Sequence, residues 1–164
     1  MDDDQAGPAE DPAAVEAAEL QDRTIDFVRA FGLLRPDTTP CGQPLSTSEA
    51  HALLELSRSG ALAQGVLGGR LGLEKSTVSR LAAQLERRGW VERRREPSDA
   101  RVILLRLTQA GHLTAAQVAR ARADRFAAIL RRIQPSERSD VLRALVTLAR
   151  AAGEPRDPDA AEGL

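Results

Sequence analysis

Aromatic and sulfur-containing residues are scarce in this chain of 164 residues, which has three Phe, one Trp, no Tyr, one Met and one Cys. Since Cys41 is the single cysteine, an internal disulfide and a four-cysteine zinc site are both excluded. Aromatic residues make up 2% of the chain and hydrophobic residues 42%. Any core must therefore be built from Leu, Val, Ile and Ala, a composition that suits packed helices.

The sequence also lacks an apolar run long enough to cross a bilayer, so no membrane partner is expected. Residues 1–22 contain eight acidic side chains and no basic one. A secretory signal peptide begins with positive charge, which is the opposite pattern. We therefore expect a soluble, cytoplasmic protein.

Charge is distributed unevenly along the chain, although the formal net charge is only −1. Residues 70–106 contain ten Lys or Arg side chains against five acidic ones, and residues 107–152 contain eight against three. Both ends of the chain are acidic. Because phosphate contacts dominate the affinity of proteins for nucleic acids, a basic body between acidic ends indicates a polyanionic partner.

Composition divides the chain into two tails and one helical domain. Residues 1–12 and 153–164 are acidic and rich in Pro, Gly and Ala, and we predict that both are disordered tails. The domain between them, residues 13–152, begins with apolar residues at helical spacing over 13–34. Three prolines within 35–44 end that first helix.

The middle of the chain has short predicted helices separated by glycines. Ser46 and Glu49 fit a capping box at the start of a second helix. A third helix over 63–71 contains three glycines, each costing about 1 kcal/mol relative to Ala. Either tertiary packing holds this helix, or its glycines allow close approach to a neighbour. A fourth helix follows over 75–88.

Two strands and two further helices complete the expected order. The strands cover 90–95 and 101–107 and are joined by a tight turn. Thr108 is a suitable cap for a fifth helix that reaches about Ile133, and Pro135 fits the first turn of a sixth. A helix, a turn, a second helix and a basic hairpin form the order of a helix-turn-helix with a wing, which grips duplex DNA at two grooves.

The fourth helix offers candidate contacts to a DNA groove. With its Val and Leu side chains directed inward, the following polar residues are left to face outward: Lys75, Ser76, Thr77, Ser79, Arg80 and Gln84. We predict that Ser76, Thr77 and Arg80 contact bases, since a reading helix uses mainly its N-terminal residues. We predict that Lys75 and Ser79 contact phosphate. An ordinary solvated helix face would show the same pattern.

The hairpin supplies a second set of candidates. Arg93, Arg94 and Arg95 are consecutive, and adjacent side chains of a strand face opposite sides, so at least one faces outward. We assign Arg94 to the wing contact. Arg101 follows the turn, where Asp99 could hold its guanidinium in one direction, and an arginine on a narrow tip can enter an A·T-rich minor groove. The alternative is a surface ion pair that contributes little.

These motifs together resemble the helix-turn-helix and wing of the MarR family of transcriptional regulators. The shared elements are the STVSRL reading helix, the ERRGWVER exit into the wing, the Asp-x-Arg of Asp99 and Arg101, and the LTxxG of 107–111. The resemblance covers residues 45–112 well and 15–152 in helix order. Two positions depart from the family pattern: Ala63 replaces a Ser/Thr cap and Gly68 replaces an Ala.

The resemblance implies a mainly α fold of about six helices with a β-hairpin wing. It implies a winged helix-turn-helix at 45–108 and dimerisation helices at 13–34 and 109–152. It further implies a homodimer that binds a palindromic double-stranded DNA operator, with Arg101 as the wing arginine and Asp99 as its orienting aspartate. We expect a repressor, because a protein that occupies a promoter blocks polymerase without further machinery.

Many members of the family resemble one another in releasing DNA when a small phenolic or anionic ligand enters a cleft beside the DNA-binding region. By analogy alone, a small-molecule effector cleft would here include Phe27, Phe31, His51 and Leu54. The chain has no Tyr to donate a hydroxyl group there.

Other functions remain as alternatives. A nonspecific or architectural DNA-binding protein would share the charge pattern. Redox sensing through Cys41 would need an external thiol, and this cysteine follows the first helix, whereas peroxide-sensing relatives have theirs near its start. A metal site of His51, His112, Cys41 and Glu49 is less favoured, so no metal or other cofactor is expected. We find no nucleophile–base pair and no phosphate-binding glycine loop, and therefore predict no catalytic residue and no enzyme.

Overall fold

The structure, a computed structural model, describes residues 11–35, 37–99 and 101–153. Two compact units divide the chain after Arg122. The described residues form six helices and three short strands, in the order α1 Pro12–Phe31, α2 Thr47–Ser59, β1 Leu62–Ala63, α3 Gln64–Leu71, α4 Lys75–Arg87, β2 Val91–Arg95, β3 Ile103–Leu107, α5 Gln109–Arg131 and α6 Arg138–Gly153. The expected mainly α fold with a β-hairpin wing is confirmed.

The predicted capping box at the start of α2 is present. The Ser46 hydroxyl accepts a hydrogen bond from the Glu49 backbone N–H at 3.2 Å, and the Glu49 carboxylate accepts one from the Ser46 N–H at 2.8 Å. Two backbone donors of the first turn are thereby satisfied, which fixes where the helix begins.

The three strands form one antiparallel sheet in the order β1, β3, β2. Leu62 lies opposite Leu105, and Val91 lies opposite Leu107. β1 is not predicted by the sequence pattern, and Ala63 lies in this strand rather than in α3. A strand of two residues has no periodicity of its own, and only its pairing with β3 defines it.

Aliphatic side chains form the core of the first unit, as the composition predicts. Those with at most 2% exposure include Leu53, Leu56, Leu67, Leu85 and Leu105. They come from α2, α3, α4 and β3, so the helix-turn-helix and the wing share one core. Burial of this kind removes apolar surface from water and holds the reading helix against α2.

Close approach between helices explains one of the three glycines in α3. A Cβ added to Gly68 would lie 3.1 Å from Val78 Cγ1 and 3.3 Å from the Leu73 carbonyl oxygen, whereas Gly65 and Gly69 face open space. Ala63 caps α3 without a side-chain hydrogen bond. Position 68 therefore brings α3 against α4, which is the second of the two alternatives that the sequence left open.

The outer helices differ from the predictions in their limits. α1 ends at Phe31 rather than at residue 34, because Gly32 adopts a left-handed φ of 87° and caps it. α6 begins at Arg138, so Pro135 lies in a turn before the helix instead of in its first turn. Of the predicted tails, residues 1–10 and 154–164 lie outside the described residues. The remaining tail residues belong to helices, contrary to the prediction: Asp11 caps α1, Pro12 begins it, and Gly153 ends α6.

Neither α1 nor α6 has a buried residue in the described chain. Large apolar side chains are exposed on α1 (Val15, Leu20, Ile25, Phe27) and on α6 (Val141, Leu142, Leu145, Val146, Leu148). Within the described residues, no helix is long and apolar enough to span a membrane.

Candidate nucleic-acid interface

A tight glycine turn joins the two helices of the helix-turn-helix. α3 ends at Gly72, whose φ of 64° is left-handed, and its N–H donates to the Gly69 carbonyl oxygen at 3.2 Å. The Leu73 N–H donates to the Gly68 carbonyl oxygen at 2.9 Å. These bonds close the end of α3 and allow α4 to start at Lys75 in a new direction.

The polar face of α4 points away from the core over its first two turns. Val78, Leu81 and Leu85 are buried on the opposite face. Of the predicted contact residues, Lys75, Ser76 and Arg80 are exposed, and Thr77 and Ser79 are half-buried. The start of α4 therefore presents one ammonium, one guanidinium and three hydroxyl groups, which are suitable donors for phosphates and base edges.

Gln84 does not face a groove, contrary to the prediction. Its Nε2 donates to Glu49 Oε1 at 3.0 Å, and Glu49 is 1% exposed. Arg88 also reaches this carboxylate, with its Nε 2.9 Å from Oε1. The Gln84 and Arg88 side chains are thus held by contacts within the protein, whereas the predicted contact residues at the start of α4 remain at least partly accessible.

Alternation along β2 separates the arginines of the wing. Arg93 is half-buried and lies 3.4 Å from Gln64 Oε1 and 3.6 Å from Glu86 Oε2. Arg94 faces the other side, is 71% exposed and pairs with Glu92 at 3.0 Å. Arg94 is therefore the arginine of this pair that an external ligand can reach.

At the wing tip, Asp99 orients the backbone of Arg101 rather than its guanidinium. Asp99 Oδ1 accepts a hydrogen bond from the Arg101 backbone N–H at 2.9 Å. The Asp99 carbonyl oxygen accepts one from the Val102 N–H at 2.9 Å. Among the residues that the structure describes, the Arg101 guanidinium has no ion-pair partner. Asp99 thus contacts the backbone of Arg101 and not its guanidinium, contrary to the prediction.

One open groove connects the reading helix with the wing. Its volume is about 620 Å³, and both Lys75 and Arg101 line it. Apolar side chains from α3, the following turn, α4 and the end of the wing turn also line it: Val66, Leu73, Val78, Val102 and Ile103. The structure therefore brings two predicted DNA-contacting cations, separated by 26 positions in sequence, to the same surface.

The predicted effector residues are distributed over α1 and α2. Phe27 and Phe31 stack with ring centroids 5.4 Å apart. Leu54 is only 8% exposed and belongs to the core, so it would offer a ligand little surface. Partial burial, and secondarily the charge of Arg122, lower the pKa of His51 below its ordinary value of 6.5.

The redox and metal alternatives gain little from the structure. Cys41 is half-buried, and its sulfur lies 3.0 Å from the hydroxyl oxygen of Thr39. Within the described ranges, no three His, Cys, Asp or Glu side chains are grouped to hold a metal ion.

The polar cluster of Glu49, Gln84 and Arg88 at the C-terminal end of α4 is not predicted by the sequence pattern. From the sequence, Glu49 is expected in a capping box and considered as a less favoured metal ligand, and Arg88 has no expected role. The Arg88 guanidinium also lies 4.8 Å above the Trp90 ring, a cation–π contact at the start of the wing. An acidic residue that caps one helix gives no sequence signal for a partner 35 positions away.

Comparisons with known proteins agree with this geometry. The MarR family model matches residues 45–103. The HTH-type transcriptional regulator MT0903.1 of Mycobacterium tuberculosis is 32% identical over 105 residues, which cover 64% of this chain and 73% of the relative. The transcriptional repressor MprA of Escherichia coli is 37% identical over 59 residues, covering 36% of this chain and 34% of the repressor.

Solved structures share the fold. The PcaV transcriptional regulator of Streptomyces coelicolor superposes with a TM-score of 0.67 and 24% identity, over 83% of this chain and 96% of that one. Streptococcus pneumoniae FabT in complex with DNA superposes with a TM-score of 0.64 and 21% identity, over 87% and 97%. The relatives are transcriptional regulators and not enzymes. From its helix-turn-helix, its wing and these relatives together, the chain belongs to the MarR family of transcriptional regulators.

Proposed function

We propose that this regulator is a repressor that binds a palindromic DNA operator as a homodimer and is released by a small-molecule effector. The observation that carries the proposal is the shared groove of Lys75 and Arg101. A cation at the start of the reading helix and a cation at the wing tip can then contact one duplex at neighbouring grooves.

The reading helix supplies the contacts to the major groove in this proposal. Ser76, Thr77 and Arg80 contact base edges, because they occupy the exposed or half-exposed N-terminal part of α4. Lys75 and Ser79 contact the phosphates beside them. Phosphate contacts place the helix, and base contacts select the sequence.

The wing supplies contacts to the flanking minor groove. Arg101 enters that groove from the turn that Asp99 holds, and Arg94 contacts the backbone from the exposed side of β2. Both assignments rest on the exposure and direction of these side chains.

Homodimerisation is supported by the apolar side chains that α1 and α6 each expose. Several large apolar side chains exposed on one helix are typical of a helix that packs against a protein partner. We assign dimerisation to residues 13–34 and 109–152 and DNA binding to residues 45–108, within a domain of residues 13–152. Two-fold symmetry then requires half-sites about 34–36 Å apart, which is one turn of DNA.

Repression and effector release follow by analogy with relatives. MprA is named a transcriptional repressor, and PcaV has been solved in complex with its natural ligand. In this chain we assign effector contacts to Phe27, Phe31, His51 and the small exposed part of Leu54. The stacked Phe pair offers an apolar surface to an aromatic ligand.

Selection of bound sequences from random duplex DNA tests the proposal. We expect enrichment of a palindrome whose half-sites are one helical turn apart, and at least 1,000-fold tighter binding to it than to scrambled DNA at physiological salt. Sedimentation of the free protein should give a dimer. Binding without enrichment would instead establish a nonspecific DNA-binding protein, and a monomer would overturn the dimer assignment.

Substitution of Arg80 by Ala refines the test. If Arg80 reads a base, the variant loses preference at one half-site position and little elsewhere. Uniform weakening over all operator variants would reassign Arg80 to a phosphate contact.

A further inference from the structure

Glu49 is a fully buried carboxylate that the proposed DNA contacts do not use. It is 1% exposed, so it cannot touch DNA. Three donors surround it: the Ser46 N–H at 2.8 Å, Gln84 Nε2 at 3.0 Å and Arg88 Nε at 2.9 Å. A buried carboxylate is costly unless such partners compensate for the lost water.

The residues of this cluster come from the N-terminal end of α2 and the C-terminal end of α4. Ser46 and Glu49 lie at the start of α2, whereas Gln84 is in the last turn of α4 and Arg88 is the residue after it. Apart from Glu49, the buried side chains of α2 and α4 in the described part of the chain are apolar, and apolar burial has no preferred direction. Hydrogen bonds to a buried charge are directional, so they limit how α4 can rotate or tilt on α2.

The cluster of Glu49, Gln84 and Arg88 also contacts Trp90, where the wing begins. Arg88 lies 4.8 Å above the Trp90 ring, and the Trp90 backbone N–H donates to the Leu85 carbonyl oxygen at 3.0 Å. Trp90 directly precedes β2. The buried carboxylate therefore holds the cation that packs where the chain leaves α4 for the wing.

A small tilt of α4 about its C-terminal end produces a larger displacement at its N-terminal end. Gln84 and Ser76 are separated by about 12 Å along the helix axis at 1.5 Å per residue. A tilt of about 10° at Gln84 would move Ser76 by roughly 2 Å, which is enough to break a hydrogen bond to a base. Long Lys and Arg side chains can still reach phosphates after such a shift.

We infer that Glu49 is a positioning residue for sequence reading: it fixes the C-terminal end of α4 so that the N-terminal end meets bases in register. The inference rests on the proposed reading role of α4. It assigns DNA specificity to a side chain that never contacts DNA, acting through Gln84 and Arg88.

The test compares two DNA probes and three variants of the full chain. The probes are the duplex selected as above and a scrambled duplex of the same composition. Glu49→Gln keeps the size of the side chain and an oxygen for the Ser46 N–H, but removes the charge that holds Arg88. Gln84→Ala is a milder variant that removes one donor. Glu55→Gln is the matched control, because Glu55 also ties α2 to the helix-turn-helix, through Arg70 at the surface.

For Glu49→Gln we expect a specific-to-scrambled affinity ratio at least tenfold below wild type, with scrambled binding changed less than twofold. Gln84→Ala should lower the ratio at least threefold, and Glu55→Gln should leave it within twofold. Circular dichroism and thermal unfolding establish that each variant is folded at the assay temperature. A residue that only stabilises the fold would not change the ratio among folded molecules.

The outcomes separate the two proposals. A wild-type ratio near one overturns the proposed function and this inference with it. A high wild-type ratio that folded Glu49→Gln retains overturns this inference alone. If Glu49→Gln does not fold, the affinity ratio of Gln84→Ala tests the inference instead. A ratio equal to that of the wild type would show that the cluster is only structural, and a reduced ratio would support positioning.

Discussion

Gly111, at the start of α5, lies directly against the carbonyl group of Trp90, so that a Cβ at position 111 would overlap its oxygen. Thr108 completes this junction: its N–H donates to the Trp90 carbonyl oxygen at 3.0 Å, and its hydroxyl accepts from the Gly111 N–H at 3.0 Å. The LTxxG motif is thus a packing motif, in which Thr caps α5 and Gly lets α5 approach the entry to the wing.

This contact predicts that one methyl group added at position 111 lowers the stability of the fold. We expect Gly111→Ala to lower the free energy of unfolding by about 1–3 kcal/mol, since backbone must move to admit the new atom. Gly69→Ala is the matched control: position 69 is helical and faces open space, so the variant should gain up to about 1 kcal/mol. Urea denaturation measures both. Equal stability of the two variants would contradict the close approach.

The hydrogen bond at the wing tip predicts which property of Asp99 is needed for DNA binding. Because Asp99 Oδ1 accepts from the Arg101 backbone N–H, an Asn side chain can provide the same acceptor. We therefore expect Asp99→Asn to retain operator binding, whereas Asp99→Ala loses this hydrogen bond to the Arg101 backbone and binds more weakly. Arg101→Ala should weaken binding roughly 10- to 100-fold, as expected for loss of a specific DNA contact.

Mobility-shift titrations on the selected operator compare these three variants. Equal weakening in Asp99→Asn and Asp99→Ala would show that the charge of Asp99 acts on the guanidinium after all. Wild-type affinity of Arg101→Ala would remove Arg101 from the interface. Sedimentation of each variant serves as the control for an intact oligomer.

Partial burial of His51 predicts a pH dependence of stability. Its pKa is lowered in the folded state, first by burial and then by Arg122, so the unfolded chain binds this proton more tightly. Above pH 6.5 both states are neutral at this position and the contribution vanishes. As pH falls through 6.5 towards the lowered folded pKa, His51 takes up its proton in the unfolded chain first, which destabilises the folded state.

Urea denaturation at pH 7.5 and 5.5 measures this effect. We expect the wild type to lose more stability between these two pH values than His51→Gln does. His112→Gln is the control, since it replaces the other histidine of the chain. An identical loss in wild type and His51→Gln would contradict the assignment.

Local sequence patterns account for most of the fold but for only part of the site. The capping box of Ser46 and Glu49 and the alternation of Arg93 and Arg94 act within a few residues, so the sequence predicts them well. The partner of Gln84 lies 35 positions away, and β1 exists only by pairing with β3. Contacts of that kind depend on how helices pack, which periodicity does not specify.

The last prediction concerns Arg93 and Arg94, whose side chains lie on opposite sides of β2. Arg94→Ala should weaken binding to all duplexes about equally and reduce the salt dependence of affinity by about one unit of slope, because it removes one phosphate contact. Arg93→Ala is its neighbour control: Arg93 is turned towards Glu86 and Gln64, so this variant should keep the salt slope and lose about 0.5–1 kcal/mol of stability. Affinities measured between 50 and 300 mM salt (roughly the range over which phosphate contacts are titrated) give both slopes. If Arg93→Ala reduces the slope and Arg94→Ala does not, the assignment of the two faces of β2 is reversed and the wing must approach DNA from its other side.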